Sequence, residues 1–362
     1  MKFKTADFRA AFARASRLAN NKMKDVYSHI RMKTSNGQVE MIAYDGEILA
    51  VSKMHADDSG SLDCLLSRDR MNSILASVTH EEISVVVQGP ELLIVSGGAR
   101  FTLNSSNPAE FAVPTKSMAT SFKLPCKAFV KAIRSTEYAC DLASNRYQLG
   151  GVAIDRTKTE LTFVATDGRR MAMISLAPEN VDNNEYTVIL PHRACTLLAN
   201  MLSSESGEVE IMIDSSSVMV KTETLSLHFP LVEGRYPNWR QVLPSDENSK
   251  KFTTVASALT EAVRLSAVCT TVDASGIDLS IVGQELTIKS QAADVGSGLV
   301  RIPVTTESQE SFSASMNYKF ILDFLKPLDA TEMVTIAMPS QHSPVTLKAG
   351  TTTGVIMPVA RM

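Results

Sequence analysis

A hydrophobic pattern that recurs three times along the chain is the feature that most constrains its fold. Each copy opens with a short strand and an amphipathic helix, in which apolar residues four positions apart share one helical face. Recurrence of this kind predicts tandem units of one structure. The apolar residues are Phe3, Phe8 and Phe12 in the first copy, Leu124, Phe129 and Ile133 in the second, and Leu259 and Val263 in the third.

A pair of strands follows each opening helix. The first two copies carry the same turn between these strands, at Asp45-Gly46 in VEMIAYDGEILAVS and at Asp167-Gly168 in LTFVATDGRRMAMIS. Asp-Gly between alternating apolar residues is a strong hairpin signal. The third copy keeps an apolar strand at residues 286–288 but lacks the Asp-Gly pair.

The second half of each copy repeats the plan, with another helix and then alternating strands. Alternation with a period of two over short runs predicts half-buried antiparallel strands. The helix pairs are Met71 and Ile74, Cys195 and Leu198, and Ile321 and Phe324; the strand residues are Ile83, Val85 and Val87, then Val209, Ile211 and Ile213, then Val334, Ile336 and Met338, with final strands at residues 101–103, 227–229 and 355–357.

The repeat therefore predicts an α+β protein of three similar domains, each a doubled unit of helix and antiparallel strands. The polar segments at residues 116–121 and 245–251 are typical of linkers. We place the domains at residues 1–120, 121–247 and 248–362.

Composition gives no sign of nucleic-acid binding, because 36 basic residues are balanced by 39 acidic ones and the net charge is −3. No apolar stretch is long enough to span a bilayer, and no apolar run follows Lys2 and Lys4 as a signal peptide requires. The five cysteines are scattered without metal-site or disulfide spacing. We expect a cytoplasmic protein with no metal and no cofactor.

The opening helix of the second copy carries Lys127, Lys131 and Arg134 on one face. A solvated lysine face is the ordinary interpretation. The alternative is a helix turned towards phosphate, which basic residues in the first copy's helix also favour. The sequence has no zinc finger and no aromatic RNA-binding motif, so DNA contacts would be to backbone charge and independent of base sequence.

Four segments in register with this repeat resemble one family: NRYQLGGVAI, ATDGRRMA, EGRYPNWRQVLP and the tail VIMPVARM. Together they resemble the β subunit of bacterial DNA polymerase III, the sliding clamp, over essentially the whole chain. The resemblance implies three clamp-type domains per chain and a head-to-tail homodimer. Its ring would have sheets outside and helices lining a central hole around double-stranded DNA.

The resemblance also implies a pocket that receives short peptides from partner proteins. Apolar side chains, methionine above all, suit a groove for several partners, and Arg170 could pair with a partner's acidic or carbonyl groups. The implied pocket residues are Leu149, Thr166, Gly168, Arg169, Arg170, Met171, Pro237, Val242, Val355, Met357, Pro358 and Val359.

Two further sites follow from the resemblance. The implied DNA contacts are Lys22, Arg146, Tyr147 and Gln148, beside Lys127, Lys131 and Arg134 from the helix face; many relatives carry an aromatic residue where Gln148 stands. The implied ring interface joins Arg100, Phe101 and Leu103 of one chain to the next chain near Val268 and Cys269. The tail MPVARM is one residue longer than the common ending, which leaves the position of Arg361 open.

The predicted function is a non-catalytic processivity subunit that tethers the replicative polymerase. Its partners would be the DNA polymerase III catalytic subunit, an ATP-dependent clamp loader, and other polymerases and repair proteins that carry short peptides. The chain has no GxxxxGK[ST] phosphate loop, so ring opening would need the separate loader. Two rival interpretations are a repetitive scaffold or adhesion module, and an enzyme that uses Asp167 and His192 as an acid–base pair.

Overall fold

The computed structural model describes residues 1–18, 25–35, 37–56, 60–114, 120–143, 145–177, 185–244, 249–272, 274–306, 312–340 and 343–359. Each repeat has the same order of elements within these ranges. The first repeat comprises β1 (Lys2–Lys4), α1 (Thr5–Ser16), β2 (His29–Ser35), β3 (Gln38–Tyr44), β4 (Leu49–His55), β5 (Leu62–Ser67), α2 (Arg68–Ser77), β6 (Glu82–Gln88), β7 (Glu91–Ser96) and β8 (Ala99–Asn104).

The second repeat keeps this order. It comprises β9 (Thr120–Pro125), α3 (Cys126–Arg134), β10 (Gly151–Arg156), β11 (Leu161–Thr166), β12 (Arg170–Leu176), β13 (Tyr186–Pro191), α4 (His192–Met201), β14 (Glu208–Ile213), β15 (Ser217–Lys221) and β16 (Leu225–Pro230).

The third repeat adds one short strand, β21, to the same order. It comprises β17 (Lys250–Val255), α5 (Ala256–Ser266), β18 (Gly276–Val282), β19 (Glu285–Ala292), β20 (Gly296–Pro303), β21 (Thr305–Thr306), β22 (Phe312–Asn317), α6 (Tyr318–Leu325), β23 (Met333–Met338), β24 (Val345–Ala349) and β25 (Thr352–Ile356).

Each repeat contributes two four-stranded halves, and the halves of successive repeats join. β4 of the first repeat pairs with β16 of the second, which gives an eight-stranded sheet in the order β5-β2-β3-β4-β16-β15-β14-β9. β12 pairs with β25 in the same way, which gives β13-β10-β11-β12-β25-β24-β23-β17-β21. The two remaining sheets, β1-β6-β7-β8 and β20-β19-β18-β22, stay four-stranded. The α+β prediction is confirmed, with antiparallel pairing in every sheet described.

The chain divides into two compact units, and the division runs through the second repeat. One unit holds Met1–Lys127 and Asn200–Leu231, and the other holds Ala128–Ala199 and Val232–Met362. The three sequence repeats therefore do not correspond to three separate compact units. The predicted boundaries after residues 120 and 247 remain a prediction, because residues 115–119 and 245–248 lie outside the described ranges.

The repeated hydrophobic pattern marks buried faces, as predicted. Phe8, Phe12, Phe129, Leu259 and Val263 are all fully buried. The second-helix pairs are buried as well, from Met71 and Ile74 to Ile321 and Phe324. One strand residue departs from the pattern, because Val87 near the end of β6 is exposed. The last strand begins earlier than predicted, at Thr352, and ends one residue earlier, at Ile356.

The second glycine of LGGVAI, Gly151, allows two strands to pack closely. A Cβ on Gly151 would lie 2.2 Å from the carbonyl oxygen of Leu190, on the neighbouring strand β13. No side chain fits there, so glycine allows the close approach of β10 and β13. This start of β10 lies next to the segment that carries Leu149.

Candidate functional site

The TDGRR turn between β11 and β12 is built by its own side chains. The Asp167 carboxylate accepts hydrogen bonds from the Arg169 and Arg170 backbone N–H groups, at 2.8 and 3.0 Å. The Thr166 hydroxyl donates to the Arg170 carbonyl at 2.6 Å. Gly168 has φ +85°, a left-handed conformation that favours glycine.

The first repeat builds its hairpin turn in the same way. The Asp45 carboxylate accepts from the Glu47 and Ile48 N–H groups at 3.0 and 2.7 Å, and Gly46 has φ +93°. Both Asp-Gly pairs therefore form the predicted hairpins, with aspartate replacing backbone hydrogen bonds in the turn.

The chain's final strand lies beside this turn. β25 pairs with β12 so that Val355 is opposite Met171 and Ile356 opposite Arg170. Beyond β25, the Met357 N–H donates to the Arg169 carbonyl at 2.9 Å, and the Val359 N–H donates to the Ser315 carbonyl at 2.8 Å. The backbone is thus fixed as far as Val359, whereas the side chain of Met357 is 46% exposed.

A buried apolar cluster forms the floor next to the turn and the tail. It joins three predicted pocket residues with five others: Leu149, Met171 and Val355 with Ala153, Val164, Ile189, Tyr236 and Trp239. Thr166, Arg170 and Pro358 are half-buried, and Gly168, Arg169, Pro237, Val242, Met357 and Val359 are exposed. Exposed apolar groups beside a buried apolar floor are typical of a peptide-binding surface.

Sequence reasoning missed Tyr236, Trp239 and Asp155 as parts of this site. Trp239 donates from Nε1 to the buried Asp155 carboxylate at 2.8 Å, and the Arg240 guanidinium pairs with the same oxygen. The guanidinium also stacks 4.2 Å above the Trp239 ring. Tyr236 and Trp239 could have been found from the sequence, because they lie in the segment EGRYPNWRQVLP. The contact with Asp155 could not, because Asp155 lies more than 80 residues earlier in the chain.

Arg170 is held by residues of its own chain. Its Nε lies 3.0 Å from Asp167 Oδ2, its Nη1 lies 2.5 Å from Asp323 Oδ2, and its Nη2 donates to the Tyr138 carbonyl at 2.5 Å. The guanidinium also lies 4.4 Å from the centre of the Phe320 ring. Each guanidinium nitrogen is therefore engaged, and a partner's acidic group would have to compete with these contacts.

A cavity of about 540 Å³ borders the turn, with Asp167, Arg169 and Arg170 in its lining. Its lining includes Tyr138, Cys140, Leu142, Arg146 and Phe320. Burial raises the pKa of the Cys140 thiol to about 12, and it also raises the pKa of Tyr138. Because the thiol stays neutral at physiological pH, Cys140 does not have the character of a nucleophile.

The predicted DNA-contacting residues lie in two places. Lys127, Lys131 and Arg134 are exposed along α3; Lys131 Nζ is 3.8 Å from Glu332 Oε1, and Arg134 donates to the Ala199 carbonyl at 3.4 Å.

The other DNA candidates follow one another in the chain. Arg146 pairs with Asp141 at 3.0 Å, Tyr147 is 77% exposed and Gln148 is half-buried. Lys22 and Arg361 lie outside the described residues.

The predicted interface residues lie on an edge strand of one sheet and beside an edge strand of another. Arg100, Phe101 and Leu103 are on β8, an edge strand, and Phe101 and Leu103 are half-buried. Val268 and Cys269 are in the 3₁₀ turn after α5. This turn lies beside β20, because a Cβ on Gly298 would be 3.5 Å from the Cys269 sulfur.

The acid–base pair of the rival enzyme interpretation is not assembled. The Asp167 carboxylate is occupied by the turn and by Arg170, and no hydrogen bond joins it to His192 among the described residues. In the same part of the chain, no cluster of three His, Cys, Asp or Glu side chains could hold a metal ion. None of the described helices is long and apolar enough to cross a membrane.

Comparison with known proteins decides the family. Three family models match in succession: the N-terminal domain of the DNA polymerase III beta subunit over residues 3–115, the central domain over residues 123–238 and the C-terminal domain over residues 240–360. The chain belongs to the DNA polymerase III beta subunit family. Its three repeats are clamp domains, and it is a DNA sliding clamp, a processivity factor with no catalytic role of its own.

The relatives of this clamp are distant in sequence and close in fold. The beta sliding clamp of Pseudomonas putida is 23% identical over 339 residues, 92% of each chain, and that of Chlamydia pneumoniae is 26% identical over 88% of this chain and 87% of its own. Among solved structures, the DNA polymerase III subunit beta of Pseudomonas aeruginosa superposes with a TM-score of 0.92 at 21% identity, covering all of both chains. The Bacillus subtilis sliding clamp gives 0.90 at 20% identity over 100% and 99%.

Proposed function

We propose that two copies of this clamp close head to tail into a ring around double-stranded DNA. The ring would hold the DNA polymerase III catalytic subunit at the primer end, in the cytoplasm. It would also receive the ATP-dependent clamp loader, other polymerases and repair proteins through short peptides.

The pattern of strand pairing carries the ring proposal. β4, β12 and β20 are equivalent strands of the three repeats, and β16, β25 and β8 are equivalent final strands. β4 pairs with β16 and β12 pairs with β25, so β20 and β8 are the pair left over. Pairing β20 of one copy with β8 of the next would satisfy both free edges, and twofold symmetry would then close the assembly.

The grip on DNA in this proposal is topological. A closed ring cannot leave the duplex sideways, so weak phosphate contacts suffice and still allow sliding. The exposed cations of α3 and the Arg146–Gln148 segment are suited to contacts of this kind, which salt weakens and base sequence does not affect.

The partner site is proposed at the apolar floor of Leu149, Met171 and Val355 and at the exposed side chains around it. A short apolar peptide segment would lie against this floor, with Met357 and Val359 at its side. Tethering a polymerase through such a peptide keeps its effective concentration high at the primer end.

Loading on closed DNA tests the ring directly. The protein should remain on circular DNA through a salt wash and leave once the DNA is cut, and sizing chromatography should give a dimer. A monomer, or retention that does not depend on DNA ends, would refute the ring and favour a scaffold module.

The partner site has a separate test. Deleting residues 357–362 should abolish binding of a polymerase-derived peptide while leaving the dimer intact. Unchanged peptide affinity in the truncated chain would refute the pocket assignment.

A further inference from the structure

The two junctions between repeats show how neighbouring clamp domains are held together. At the first, Arg14 Nε lies 3.3 Å from Glu205 Oε1, and Arg17 donates to the Asn200 carbonyl at 2.5 Å. At the second, Lys131 Nζ lies 3.8 Å from Glu332 Oε1, and Arg170 pairs with Asp323. Both internal junctions are therefore closed by cations of one repeat and acceptors of the next.

A backbone hydrogen bond that recurs in every repeat aligns these positions. The first residue of the opening helix donates its N–H, always at 2.8 Å, to the carbonyl just before the strand that follows the second helix. The three pairs are Thr5 to Glu81, Cys126 to Gly207, and Ala256 to Glu332. Glu81 and Glu332 therefore occupy the same position in the first and third repeats.

Counting along the opening helices gives the matching positions. The fourth helical residue is fully buried in each repeat, as Phe8, Phe129 and Leu259, which confirms the register. The sixth residue is Lys131 in the second repeat and Glu261 in the third. The tenth and thirteenth positions hold Arg14 and Arg17 in the first repeat, and Leu265 and Val268 in the third.

The third repeat thus presents different chemistry at the positions that close the internal junctions. Leu265 is 55% exposed and Val268 is 72% exposed, where the first repeat has arginines. Glu261 is exposed where the second repeat has Lys131, and Glu81 is exposed where the third has Glu332. Among the described residues, neither Glu261 nor Glu81 is in an ion pair.

The first repeat has a groove suited to the apolar pair. It has a volume of about 1060 Å³ and is lined by Phe12, Leu75 and Val78 with Glu81 at its rim. Arg9 in this groove already donates to the Leu75 and Val78 carbonyls at 2.9 and 2.8 Å.

We propose that each seam of the ring combines an apolar contact, made by Leu265 and Val268, with a pair of facing carboxylates, Glu261 of one copy and Glu81 of the next. The inference rests on the proposed head-to-tail dimer. Like charges that face each other repel, whereas the second internal junction places opposite charges, Lys131 and Glu332, at the same position. The carboxylate pair therefore makes the seam the weakest junction and biases ring opening to it.

Other charged groups limit the repulsion without removing it. Lys4 and His80 line the same groove as Glu81, and Arg264 lies on α5 close to Glu261. Because exposed charge pairs contribute modestly and subunit exchange requires both seams to open, we expect reversal of one charge to slow exchange about fivefold to tenfold at low salt.

Subunit exchange between donor-labelled and acceptor-labelled full-length clamps tests the proposal. Glu261→Lys and Glu81→Lys should each slow exchange, Glu261→Gln should have an intermediate effect, and the double Lys variant should return close to the original rate. Glu160→Lys, at an exposed position between β10 and β11, is the matched control and should exchange like the unchanged chain.

The possible outcomes separate the two proposals. The carboxylates do not face each other if Glu261→Lys and Glu81→Lys each exchange subunits at the rate of the control. The same conclusion follows if the double Lys variant exchanges more slowly than either single variant. A chain that is monomeric at all concentrations would overturn the dimer itself.

Discussion

Replacing Asp155 with alanine is the sharpest probe of the partner site. Asp155 lies on β10 and is buried, and its carboxylate accepts from Trp239 Nε1 at 2.8 Å and pairs with Arg240. The alanine variant leaves the buried indole N–H without an acceptor, which costs about 1–3 kcal/mol. The Arg240 side chain is 43% exposed and can be solvated by water in the variant, so loss of its ion pair with Asp155 adds little to the cost. We expect a total of about 2–3 kcal/mol.

The chain offers a direct readout, because Trp239 is its only tryptophan. Fluorescence-monitored unfolding therefore reports this site: in Asp155→Ala the emission should shift to longer wavelength and the denaturation midpoint should fall. Thr187→Val is the matched control, since it removes only the 3.1 Å hydrogen bond from the exposed Thr187 to Asp155. It should cost less than about 1 kcal/mol.

The Asp155→Ala variant should also be impaired in partner binding. Loosening the Trp239 segment should weaken binding of a polymerase-derived peptide, while the Thr187 variant binds normally. If the fluorescence emission and the denaturation midpoint of Asp155→Ala match those of the unchanged protein, Asp155 does not hold this segment in place.

Three further variants or conditions test other features. Gly168→Ala should destabilise the turn by about 1–2 kcal/mol because φ is +85°, although the nearest atom to the added Cβ is 3.5 Å away; an unchanged thermal midpoint would contradict this. Burial raises the pKa of Cys64 and Cys140 to about 12, above the unfolded value, so the stabilisation is complete below about pH 9 and is lost as the pH rises to 12. Denaturant midpoints from pH 8 to 11 should fall, and less steeply in the double Cys→Ala variant. Finally, Cys269, half-exposed in the single chain, should react with a thiol reagent faster at concentrations that dissociate the proposed dimer; a rate independent of concentration would place it outside the interface.

Local patterns predicted the elements of the fold well. Helix faces such as Phe8 with Phe12, and turns such as Asp167-Gly168, depend on residues that are neighbours in the chain. Val87 shows the limit of this reasoning: alternation predicts burial along the whole strand, but its position near the end of β6 leaves it uncovered.

Contacts between distant residues could not be predicted in this way. Pairing of β4 with β16 and of β12 with β25 joins segments that are far apart in the chain, and no periodicity encodes such a register. The same holds for the contact of Trp239 with Asp155. The sequence predicts that Arg170 pairs with acidic or carbonyl groups of a partner. The structure shows that its guanidinium nitrogens already contact Asp167, Asp323 and the Tyr138 carbonyl within the chain.

The joined sheets also bear on how this chain tolerates truncation. A fragment that stops after residue 244 would contain two sequence repeats, yet it would lose β25 and uncover the hydrogen-bonding side of β12. An uncovered strand of this kind is a template for adhesion to other chains. Isolated repeats should therefore precipitate unless the bare strand is shielded, for instance by lysines on its outer face, and the smallest soluble piece should be larger than one repeat.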